Sequence, residues 1–173
     1  MNQLTVEEIE GKMHELEKIL GYTFQDVSLL SSAMKSQLLE KREDDGKYHK
    51  EYSNEALAFL GDTVIKFLIA EHLYKDECKH EKRKGDMTNT KKVLESNAVF
   101  HKLAEKEGII RYAYNEKTFS KPTLPDHERV CSKKHDPYIE AITAAIYLDR
   151  GWDDVTKWFQ RWLLPKLKER AKA

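Results

Sequence analysis

Asn54-Glu55-Ala56-Leu57-Ala58-Phe59-Leu60-Gly61-Asp62-Thr63-Val64-Ile65-Lys66-Phe67-Leu68-Ile69-Ala70 contains the best apolar run of this 173-residue chain, Thr63 to Ala70. Its periodicity predicts a helix from about 54 to 74. Residues about 100° apart put Leu57, Leu60, Val64, Phe67 and Leu68 on one face, and Phe59, Ile65 and Ile69 toward the other, beside Glu55 and Asp62. A helix that is apolar on both sides is expected to be buried on both, by its own core and by something else.

Outward from this helix the chain reads as helix after helix. Thr5 and Glu8 form a capping box for a helix over 5–20 that stops at Gly21. Asp26 caps a second helix through Met34, and Glu40 to Glu51 is almost wholly polar and reads as a solvated loop. Downstream, Asp86 caps a helix carrying Val93, Leu94, Phe100 and Leu103 and stopping at Gly108. Residues 111–136 form a long charged loop holding Pro122 and Pro125. Asp136-Pro137 opens a helix with Pro137 at its first position, and Asp153 caps a last one interrupted near Pro165. Seven glycines and four prolines leave little room for the turns of an all-β protein. The expected fold is all-α, in one domain over 1–173 whose C-terminal helix is 151–173.

Composition narrows the function classes. Thirty Lys and Arg balance thirty Asp and Glu, so the formal charge is zero and any nucleic-acid binding must come from a local patch. Cys78 and Cys131 stand far apart without a CxxC, which argues against zinc ribbons, thioredoxin chemistry and a disulfide-stapled scaffold. Met1 to Glu8 carries neither the basic nor the apolar region of a signal peptide, and Thr63–Ala70 is too short to span a bilayer. A soluble, intracellular protein, cytoplasmic by default, is the expectation.

The chemistry lies on the long helix. Glu55, Ala58 and Asp62 fall at i, i+3 and i+7, within roughly 60° of one another, so two carboxylates point the same way from an apolar surface. Burying like charges is costly unless a cation or proton neutralises them. One reading is a hard divalent ion on oxygen ligands and water; the other is a pair of ordinary exposed acids. Glu140, a lone acid in an alanine-rich stretch with Asp136 one turn earlier, favours the ion, although Asp before Pro at a helix start is also an ordinary cap.

Asn54 to Asp62 resembles the signature stretch of the ribonuclease III family, N-E-x-L-E-F-L-G-D. Leu16 to Phe24 resembles the family's opening helix and turn, Gly85-Asp86-Met87 its next helix start, with Asn97 matching an Asn of that helix, and Glu140 to Asp149 its E-A-L-I-G-x-x-Y-L-D segment. The resemblance implies a homodimeric all-helical endonuclease domain that hydrolyses double-stranded RNA with Mg²⁺, Mn²⁺ substituting, and leaves short 3′ overhangs. By position it assigns Asp62 and Glu140 as metal-binding catalytic acids, Glu55 as an accessory acid, and Phe59 as an aromatic plug into the partner subunit. Gly61 would allow close backbone approach at that same interface.

The departures are equally specific. Ala58 stands where the family has a metal-binding Glu, Lys84 where many members have an acid, and Pro137 where the family has an Asp, leaving Asp136 one residue out of step. No appended double-stranded-RNA-binding domain is expected after the last helix, so affinity is expected from the dimer cleft. Two explanations of Ala58 compete: an inactive relative that binds RNA or partners without cutting, or an endoribonuclease impaired by loss of its Glu. Retention of Asp62 and Glu140 favours the second, whereas Lys84 and Pro137 favour the first. A helical interaction module without an RNA role is the third possibility. Among other candidates, His72 and Asp76 read as an exposed helix face rather than a metal site. Lys79, Lys82, Arg83, Lys84, Lys133 and Lys134 border the expected cleft and are candidates for phosphate contact, with Asn97. Trp158 and Trp162 read as core or interface.

Overall fold

The computed structural model describes residues 3–35, 38–41, 48–51, 54–80, 83–115, 118–119 and 137–172. Seven α-helices carry the fold among them: α1 (Val6–Leu20), α2 (Val27–Met34), α3 (Glu55–His80), α4 (Lys84–Leu94), α5 (Asn97–Lys106), α6 (Tyr138–Trp158) and α7 (Leu164–Lys172). α3 and α6 form the central, most extensive pair; α2 packs on α6, α1 on α2, α4 on α3, and α5 on α7. No helix among the described residues is long and apolar enough to cross a membrane.

Local chemistry explains most boundaries. Thr5 accepts from the Glu8 N–H and the Glu8 carboxylate accepts from the Thr5 N–H, the reciprocal cap that starts α1. Gly21 ends it in the left-handed region at φ 60°. Asp26 caps α2 through the Ser28 N–H. The turn between these helices is locked from a distance by Asp149. Its carboxylate accepts from the Tyr22 hydroxyl at 2.9 Å and from the backbone N–H groups of Gln25 and Asp26.

Several elements differ from the sequence-based expectation. The polar stretch 40–51 is not simply a loop, since β1 (Leu38–Lys41) pairs antiparallel with β2 (Tyr48–Glu51), Leu38 opposite Glu51. The helix expected from Asp86 to its stop at Gly108 is two helices, because Ser96 caps a new start by accepting from the Val99 N–H. Asp86 itself sits in the first turn of α4, and Arg83 holds the N-cap position. Pro137, expected at the first helical position, holds the N-cap of α6. The interruption near Pro165 is a π-turn over Phe159–Leu163, just ahead of the proline that cannot donate to the helix. The expected division between the last two helices survives as a kink at Gly151, at φ 81°.

α3 is buried differently from the two-sided expectation. Ile65 and Ile69, assigned to the outer face, are fully buried in the chain's own core, whereas Phe67, assigned to the inner face, is 55% exposed. Phe59 is 80% exposed. The outer stripe is therefore Phe59, Thr63, Phe67, Ala70 and Tyr74, at helical spacing. Phe67 meets Trp152 edge-on at 5.2 Å. Trp158 and Trp162 stack on each other and donate their indole N–H groups to the carbonyls of Leu20 and Ile19, closing the end of α1. Both are structural, as read from the sequence.

Candidate active site

Gly61 builds the site. A Cβ there would overlap the carbonyl oxygen of Glu140 and lie 3.1 Å from its Cα, so α3 and α6 touch backbone to backbone at this point. The close approach that the sequence reading placed at a subunit interface is thus made within the chain. Its consequence is positional: Asp62 follows Gly61, Ala58 precedes it by about one turn on the same side of the helix as Asp62, and Glu140 lies directly across. Asn54 fixes the start of α3, its side-chain amide donating to the Ala33 carbonyl at 3.0 Å.

Glu140 is 3% exposed, and its Oε2 has no hydrogen-bond partner among the described residues. Burial pushes its carboxyl up to about 7; its own backbone N–H pulls it down, the Asp62 charge raises it and the Lys66 ammonium lowers it. Asp62 is half-buried and accepts from Lys66 Nζ at 2.6 Å. That hydrogen bond holds the Lys66 ammonium above its ordinary pKa against the opposing effect of burial, and the charges of Asp62, Glu95 and Glu140 act in the same direction.

The other expected residues distribute unevenly. Glu55 is exposed in the first turn of α3, about 10 Å along the helix from Asp62 by helical rise. Ala58 is buried on the site face and offers no ligand. Lys84 and Asn97 are exposed in the first turns of α4 and α5. Asp136, Lys133, Lys134 and Lys82 lie outside the described residues. His72 contacts Lys168 Nζ at 2.9 Å. Sequence reasoning missed Lys66 and Glu95, although Asp62 followed four residues later by Lys is itself the signal of an ion pair on one helix face.

A hard divalent ion fits this donor set. Magnesium is commonly held by one or two carboxylates with water completing the shell, and the buried, unpartnered Oε2 of Glu140 beside Asp62 is an acceptor of that kind. Among the described residues no three His, Cys, Asp or Glu side chains converge, so the protein donors there are Asp62 and Glu140 alone.

The chain matches the ribonuclease-III-like family over residues 28–167. It belongs to that family. Ribonuclease 3 of a Nitratiruptor species is 31% identical over 150 residues, covering 83% of this chain and 57% of the relative. Ribonuclease 3 of Wolinella succinogenes is 32% identical over 145 residues, covering 80% and 52%. The chain therefore spans about half the length of these curated relatives, 57% and 52%. In fold it is similar to the nuclease domain of ribonuclease III from Campylobacter jejuni, with a TM-score of 0.67, 23% identity, and coverage of 93% of this chain and 99% of that one. That structure is described for flexibility in a region involved in dimer formation. The family frame makes the positions of Asp62 and Glu140, across Gly61, the candidate active site of a ribonuclease-III-like chain.

Proposed function

We propose that this chain is a single ribonuclease III-type nuclease domain that acts on double-stranded RNA as a cytoplasmic homodimer, with cleavage impaired by Ala58. The observation that carries the reading is the buried, unpartnered oxygen of Glu140 set beside Asp62 at a backbone-to-backbone helix crossing. Asp62 and Glu140 would hold Mg²⁺ or Mn²⁺, which when bound activates water for attack on the phosphodiester and offsets charge on the phosphoryl and leaving 3′ oxygens. The chain's own contribution is to hold two carboxylates at fixed separation on rigid helices and to keep water from one of them. Lys84 and Asn97, exposed at adjacent helix starts, are suited to phosphate and sugar contacts that position a duplex. Phe59, 80% exposed on one chain, supports burial by a second copy.

Duplex-RNA cleavage under Mg²⁺ tests this reading, with the chain and Ala58→Glu measured in parallel. The unaltered chain should cut slowly or not at all, and Ala58→Glu should restore cutting by returning an oxygen donor to the buried face. Asp62→Asn or Glu140→Gln in that background should abolish the gain. A second reading, an inactive relative that binds RNA or partners, is favoured by the ammonium of Lys66 on Asp62. It prevails if Ala58→Glu stays inert under both metals while still binding duplex RNA.

A further inference from the structure

Lys66 is bonded to Asp62 at 2.6 Å, and the carboxylates of Glu95 and Glu140 lie within its electrostatic reach. Glu95 has a lysine of its own, Lys91, four residues earlier on α4. Lys66 is thus the cation shared by the two acids of the candidate site.

We propose that the Lys66 ammonium is a resident, tethered counter-cation of the Asp62–Glu140 site, competing with a divalent ion for Asp62 and setting how much metal the chain takes up. The inference rests on the reading of Asp62 and Glu140 as metal ligands. With both acids ionised, an incoming ion meets a site of net −1 rather than −2, because one positive charge is already there. Lys66 also occupies one of the two Asp62 oxygens open to a hard cation. A lysine side chain is long and jointed, and that of Lys66 is 45% exposed, so it can swing out to solvent without unpacking α3. Divalent ions then bind only with Lys66 displaced. A Glu at position 58 would restore the negative charge that Lys66 removes. Ala58 and Lys66 therefore act in the same direction, toward a site occupied by metal only at high concentration.

Manganese titrated into the full chain without RNA, with free Mn²⁺ followed by electron paramagnetic resonance, tests the competition. Lys66→Gln should bind Mn²⁺ about tenfold tighter than the unaltered chain, equivalent to about 1.4 kcal/mol. Lys66→Arg, which keeps the charge, should stay weak, and Lys91→Gln should match the unaltered chain. Equal or weaker Mn²⁺ affinity in Lys66→Gln overturns the proposal while leaving the metal reading in place. Absence of binding in every variant, with Asp62→Asn indistinguishable from the rest, removes the metal reading itself. Amine labelling of the unaltered chain, read by mass spectrometry, gives a measure independent of any variant's folding. Saturating Mn²⁺ should raise the labelling rate of Lys66 severalfold relative to Lys91, and an unchanged ratio under saturation overturns the displacement.

Discussion

At Glu140 burial works against charge. A carboxylate taken out of water with one oxygen unpartnered costs more than the half-exposed Lys66 ammonium returns, so its proton is held up to about pH 7. The unfolded chain releases that proton near 4.5. Between those values the native state binds more protons than the unfolded state, so this residue lowers stability as pH rises from about 4.5 to about 7, with no further loss above. The full effect is on the order of 3 kcal/mol. Urea melts in the presence of chelator should therefore show Glu140→Gln more stable than the unaltered chain at pH 8, with the difference closing by pH 4. A Glu140→Gln variant that is less stable at pH 8 would mean the carboxylate has a partner in solution. Asp62, across the helix pair, is half-buried and bonded to Lys66.

The element that fixes their separation is the crossing of α3 and α6. Helix propensity alone predicts that Gly61→Ala should stabilise α3 by about 1 kcal/mol. Sterics predict the reverse, since the new methyl would overlap the Glu140 carbonyl, and a backbone carbonyl has no rotamer by which to move away. The steric effect wins, with an expected net loss on the order of 1–3 kcal/mol in urea unfolding. The same separation of Glu140 from Asp62 should make Mn²⁺ binding fall in any Gly61→Ala protein that still folds. α4 and α5 show the opposite kind of control, by a local cap. α4 ends at its C-cap Glu95, Ser96 begins α5 through a single hydroxyl, and that break is what leaves Asn97 at a helix start facing solvent.

For the whole molecule the outer face of α3 is the surface on which the proposed homodimer would form. Phe59 at 80% exposure and Phe67 at 55%, with Trp152 beside Phe67, form an apolar surface that one chain does not cover. Phe59→Ala should leave monomer stability within about 0.5 kcal/mol and weaken self-association by about 3 kcal/mol, roughly 100-fold in Kd. Sedimentation equilibrium of both proteins measures this, and a monomer at high concentration in both would refute the dimer. The proposed duplex-RNA substrate would meet a chain of zero formal charge. With no net charge to attract phosphates, duplex RNA should bind through local cations, preferred over duplex DNA by A-form shape and 2′-hydroxyl contacts, and weaken steeply with salt. Lys84→Ala should weaken binding and reduce the salt slope by about 1. Equal affinity for duplex DNA, or a flat salt response, would count against a duplex-RNA site.

Periodicity and caps made the all-helical architecture legible from residues alone: Thr5 with Glu8, Gly21 and Asp26 act through contacts a few positions apart, and such contacts are written in order along the chain. The acids of the candidate site stand out in the sequence as a helical spacing and a resemblance, and Ala58 as a position where the family has Glu. What tertiary structure decided was everything that depends on which helix crosses which, and at what rotation. Ile69 and Phe67 exchanged their expected faces because α3 turns its Ile65–Ile69 side into the chain's own core. Gly61 exchanged a partner subunit for Glu140, and Lys66 became the companion of Asp62. A period of 3.6 residues assigns side chains to a common face but not to a neighbour. For Asp62 that neighbour is Glu140 on α6, which lies far along the chain and is brought to it only by the helix crossing.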